Sequence, residues 1–192
     1  MPSIAFQSWV TDRALRLDEI EHAHRRVGGT GRGRRYATQQ INHAYAMLLS
    51  SQFQGFCRDL HSECVDQLVG SVSPARLRVA LRAEFLLNRK LDKGNPNPGN
   101  IGSDFSRLGL KLWTDVYAHD PRNQPRKILL EELNEWRNAI VHQDFDPSKL
   151  GGTTTLRLVQ VRSWRKACHG LAVSFDNVLR FYIQSVVGIR PW

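Results

Sequence analysis

An all-α fold follows from three observations. Apolar residues recur at three and four through most of the chain, the period of a helix with one buried face. Strand-like alternation is nearly absent. The periodic stretches are separated by short clusters of Gly, Pro, Asn and Asp, the residues that turn a chain. The expected architecture is a helical bundle with one long core helix and a late motif helix. At 192 residues the chain can bury a core without disulfides or a structural metal.

The elements follow in order. Ser8 to Arg26 reads as a helix, with Trp9, Leu15 and Ile20 irregularly spaced among charges. GGTGRGRR, Gly28 to Arg35, breaks it. It resembles a glycine-rich phosphate loop, but it lacks the GK[ST] ending and follows no strand. It reads as a flexible basic linker, with RNA contact through Arg34 and Arg35 as the alternative. Residues 1–35 are thus expected as a helix plus linker, and 36–192 as the helical domain.

From Tyr36 to Val69 the stripe Ile41, Tyr45, Leu48, Leu49, Gln52, Phe53, Phe56, Leu60, Cys64 and Leu68 marks the long helix. Ser73-Pro74 opens the next, since Ser can cap and Pro suits the first turn. It carries Leu77, Leu81, Phe85 and Leu86 to Lys90. DKGNPNPGNIGS, residues 92–103, reads as a loop. Ser103 or Asp104 then caps a helix through Leu108, Leu112, Trp113 and Val116. After a break at Asp120 to Pro125, the motif helix runs to Gln143. Residues 144–156 form a loop, with a short extended piece in TTTLRLVQV. The last helix runs from Arg162 to Val187, with Leu171, Val178, Phe181, Tyr182 and Ser185 facing inward.

Composition narrows the function classes. Twenty-seven Lys and Arg face 18 Asp and Glu, a formal charge of +9. A basic surface attracts polyanions, RNA among them. Three cysteines, an odd count with no signal peptide, suit a reducing cytoplasm. No run approaches the ~18 apolar residues of a membrane-spanning helix.

The chemistry concentrates at residues 137–142, Arg-Asn-Ala-Ile-Val-His. An Arg holds phosphate as a permanent cation with a fixed fork of donors. A His exchanges protons near neutral pH. On a helical wheel Leu129, Leu133, Trp136 and Ile140 share an arc of roughly 60°, the core stripe. Arg137, Asn134, Val141, Asn138 and His142 fill a separate arc about 140° wide. Asn138 and His142 are i,i+4 neighbours, whereas Arg137 sits at the far edge of that arc. Two copies related by a dimer axis would assemble a better site than one helix. Leu130 and Val141 are the expected apolar contacts at that seam.

RNAIVH resembles the R-x-x-x-x-H signature of the HEPN superfamily, the "higher eukaryotes and prokaryotes nucleotide-binding" helical domains. Arg137 matches the signature Arg, Asn138 the polar residue that often follows, and His142 the signature His. INHAYAMLLSSQFQGFCRDLHSECVDQL resembles the first long helix of the RiboL-PSP type, and the likeness spans roughly residues 36–187. Relatives often carry an acid on the inner face of that helix. Here Gln52, Phe53 and Phe56 hold the inner middle, and Asp59 and Glu63 come later. The resemblance implies a metal-independent endoribonuclease acting as a homodimer, with Arg137, Asn138 and His142 catalytic and no cofactor. It also implies 2′,3′-cyclic phosphate and 5′-hydroxyl products, and a role as a toxin or phage-defence effector with an antitoxin or other partner protein. Three alternatives stay open. Arg and His near a helix C-terminus can simply satisfy its last carbonyls and dipole. The chain can be a catalytically silent HEPN-like interaction or nucleotide-binding module. It can also be a plain helical RNA-binding protein.

Other constellations are weaker. Cys57, His61 and Cys64 share a face but lack a fourth zinc ligand and the usual C-x₂-C pairs, so a buried core role fits better. Cys168 and His169 are adjacent and face apart. Arg157, Arg162, Arg165 and Lys166 cluster where the last helix opens, an end whose dipole does not favour cations. They are candidate RNA phosphate contacts, or else a solvated face.

Overall fold

The computed structural model describes residues 1–27 and 35–192, with side chains from 38 onward in the second stretch. Among the described residues every regular element is a helix. They are α1 Ile4–Val10, α2 Asp12–Val27, α3 Arg35–Gly70, α4 Ala75–Leu86, α5 Lys90–Lys93, α6 Pro98–Ser106, α7 Leu112–His119, α8 Asn123–His142 and α9 Leu158–Val187. α3 is the central column, and α8 and α9 pack on it and on each other. The expected stripe of α3 is the one that is buried: Tyr45, Leu49, Phe53, Phe56, Leu60 and Cys64 are fully enclosed.

The expected first helix is two, parted at Thr11. Its start is heavily tied. The Ser3 hydroxyl accepts from Phe6 N–H, and Ser3 N–H donates to Asp176 Oδ1 at 3.0 Å. Glu63 accepts from Ile4 N–H at 3.0 Å and Ala5 N–H at 2.5 Å. These partners satisfy donors that a helix start leaves open. Asp59 pairs with Arg13 of α2 at 2.5 Å. Both late acids of α3 therefore anchor the N-terminal helices. Ala5, Trp9 and Leu17 of those helices lie in the same buried core as α3, α8 and α9.

The middle of the chain departs most from expectation. Ser73 makes no side-chain cap to α4; Pro74 stands at the cap position. The stretch expected as a loop, 92–103, holds the last two residues of α5 and most of α6. Asn97 caps α6 by accepting from Asn100 N–H at 2.8 Å, and Pro98 occupies the first turn. Asp104 caps no helix of its own; its carboxylate accepts from Lys90 and Leu91 N–H, both at 2.8 Å, at the start of α5. The helix expected through Val116 is interrupted at Gly109, where φ is +85° and a Cβ would stand 2.9 Å from the Tyr182 hydroxyl.

α9 begins four residues earlier than expected, at Leu158, and the segment before it holds no extended element. Phe181 is 56% exposed and Ser185 is exposed, although Leu179 and Ile183 on the same turns are fully buried; Phe181 thus sits on the outer face of α9. Trp136 and Trp164 meet at 6.4 Å between α8 and α9, and Trp164 Nε1 donates to Glu132 at 3.1 Å. That seam fixes the rotation of the motif helix.

Candidate functional site

α8 buries Leu130, Leu133, Asn134, Trp136 and Ala139 and leaves its last turn at the surface. The helix stops at Gln143, which adopts the left-handed conformation, φ 55° and ψ 30°. Asp144 N–H then donates to Ala139 O at 3.1 Å, and Gln143 Nε2 to Ile140 O at 2.7 Å. Two terminal carbonyls thus find partners without His142. The His142 ring is exposed and makes no hydrogen bond among the described residues. Capping carbonyls is therefore not what holds it there.

Asn138 and His142 line one cleft of 250 Å³ with Glu135, Asp144, Lys149 and Leu150. Lys149 reaches it from the turn after α8, 3.8 Å from Asp146. Asn138 is held from two directions. Asn95 Nδ2 donates to its Oδ1 at 2.5 Å, and Arg137 Nη1 to the same oxygen at 3.3 Å. A guanidinium can only donate, so this oxygen is the acceptor end of the amide. The Asn138 NH₂ is left as the donor facing outward.

Arg137 is half-buried and has no carboxylate in ion-pair range among the described residues. It does not line the cleft that Asn138 and His142 share, in keeping with its place at the far edge of the arc. The loop before α6 lies along the same arc. Asn134 Nδ2 donates to Leu130 O at 2.8 Å and Pro96 O at 3.3 Å. Leu130, expected at an apolar seam, is fully buried in the core. Val141 is 45% exposed.

The basic cluster divides. Arg162 donates to Glu21 at 2.7 Å; Arg165 donates to Asp18 at 2.7 Å and to the Tyr45 hydroxyl at 3.1 Å. Arg25 adds a contact to Glu21 at 2.9 Å. Burial alone would raise the Glu21 carboxyl. Hydrogen bonds from Arg162, Arg25 and Tyr45 outweigh it and hold the pKa at about 2. Arg162 and Arg165 thus clamp α2 to α9, and their charges are already matched by acids. Arg157 and Lys166 are exposed and carry no such partner among the described residues. Arg34 and the side chain of Arg35 lie outside the described residues.

Cys57, Cys64 and Cys168 are all buried, and burial pushes their thiols up. His61 between the first two turns Nε2 toward Asp104 O at 3.1 Å; burial, then Arg89, lowers its pKa to about 4. No three His, Cys, Asp or Glu side chains converge among the described residues, and no described helix is long and apolar enough to cross a membrane.

Asn95, Lys149 and Glu135 escaped the sequence reading. Asn95 lies 43 residues from its partner, and only the tertiary fold brings them together. No protein-family model matches the chain, and neither a curated protein nor a solved structure matches it.

Proposed function

We propose that this protein is a metal-independent endoribonuclease of HEPN type, acting as a homodimer. One observation carries the reading. Among the described residues, the end of α8 presents an unbonded imidazole and a pre-oriented amide in one cleft, with Arg137, which no carboxylate pairs, bonded to that amide. In this mechanism the RNA's own 2′-hydroxyl attacks the adjacent phosphorus. His142 transfers the proton as general base or acid. Arg137 stabilises charge on the phosphoryl oxygens. The outward NH₂ of Asn138 hydrogen-bonds a phosphate oxygen. The cleaved strands end in a 2′,3′-cyclic phosphate and a 5′-hydroxyl. A two-fold axis past Val141 would bring one protomer's Arg137 toward the other's His142, and an inhibitory or defence-system protein is the partner expected for such an activity.

Incubation with total RNA in excess EDTA tests the reading. Cleavage should persist; complete loss, restored by one divalent ion, would overturn the mechanism. A second reading has its own support. Arg137 is half-buried and absent from the cleft of His142, which suits a catalytically silent interaction or nucleotide-binding module. RNA left intact under all conditions, with a nucleotide bound, would favour it.

A further inference from the structure

We propose that the groove between the N-terminal helices and α9 binds a small organic acid, one carboxylate on an apolar body. The groove holds 530 Å³, within the range of ~300–1,000 Å³ typical of small-ligand sites. Its floor is apolar: Trp9, Ala14 and Leu17, with Val10 41% exposed at the lip. Its α9 wall is basic: Arg162, Arg165 and Lys166.

The charge arrangement selects the ligand. Arg162 and Arg165 are matched by Glu21 and Asp18, which locks the wall in place. Lys166 is the one cation of that wall with no carboxylate partner among the described residues. A single acidic group next to Lys166 completes the set. A polyanion would need several unmatched cations in a row, and the groove offers one above an apolar floor. An apolar body suits the groove as well: Val10 is 41% exposed and Ala14 half-buried there, while Trp9 and Leu17 are already buried. RNA is therefore the disfavoured occupant. The inference stands apart from the ribonuclease reading, since the groove and the cleft at His142 share no lining residue.

Titration calorimetry with octanoate, and with octan-1-ol as its uncharged counterpart, tests this on the full chain. Octanoate should bind one site per chain, at least about tenfold tighter than the alcohol. Lys166→Glu, an exposed change that leaves the core untouched, should weaken octanoate at least about tenfold and leave the alcohol unchanged. Ala14→Trp should fill the groove and abolish both. A short RNA should not displace octanoate. Equal affinity for acid and alcohol, indifference to Lys166→Glu, no binding at millimolar octanoate, or displacement by RNA would each overturn the proposal.

Discussion

Replacing Glu21 by Gln isolates the clamp between α2 and α9. The amide keeps the shape and one acceptor but removes the charge that Arg162, Arg25 and Arg165 surround. The magnitude follows from proton affinity. A carboxyl lowered from 4.5 to about 2 is stabilised on folding by about 3 kcal/mol, at about 1.4 kcal/mol per decade. The Glu21 side chain is only 11% exposed, but Arg25 is 61% and Arg162 42% exposed. Screening at those partners trims the expectation to about 2 kcal/mol. The folded pKa is depressed, so the contribution is complete above 4.5 and fades as pH falls toward 2. Urea unfolding at pH 7 should therefore show Glu21→Gln about 2 kcal/mol less stable. At pH 3 the gap should shrink to about 1 kcal/mol. A loss below about 0.5 kcal/mol at pH 7, or the same loss at both pH values, would refute the clamp.

Further outcomes concern the motif helix. His142→Ala and Arg137→Ala should each lower RNA cleavage at least ~100-fold, the scale of a general acid–base group, with unchanged circular dichroism; near wild-type cleavage by His142→Ala would remove it from the mechanism. Val141→Glu should split the dimer and abolish cleavage together, because burying an unpaired carboxylate is costly; light scattering beside an RNA assay reads both, and a fully active monomer would end the composite site while sparing the ribonuclease. Asn95→Ala frees the Asn138 amide to rotate. It should cut the cleavage rate constant by about tenfold, near the value of one hydrogen bond, with KM little changed; unaltered kinetics would show that Asn95 positions nothing.

The long elements were legible because one periodic stripe decides them. Tyr45 to Cys64 on α3 and Leu133 and Trp136 on α8 read as core and are core. The misread element boundaries fall where polar side chains, not apolar periodicity, decide. Residues 92–103 carry enough Pro, Gly and Asn to look like a loop, yet Asn97 caps a helix and Asp104 caps its neighbour. Asp104 looked like a local cap from its position; its partners are 13 and 14 residues earlier in the chain. Thr11 parts two helices that one charged pattern seemed to join, because Asp176 and Glu63 tie down the first of them from far along the sequence.

The geometry of the candidate site was partly legible. The i,i+4 pair Asn138 and His142 follows from helix pitch alone, and the structure puts both in one cleft. What pitch cannot say is which part of the remaining arc is covered. Residues 95 and 96 reach across to Asn134 and Asn138, and Leu130 turns into the core. The exposed part of that arc is therefore narrower than the wheel implies and includes Val141. The basic cluster teaches the complementary point. Cations at the opening of α9 looked unfavourable because the helix dipole opposes them. Glu21 and Asp18, brought from α2, supply the negative charge that the local sequence lacks. Two of the four cations are thereby structural, and any phosphate contact by this cluster must rest on Arg157 and Lys166.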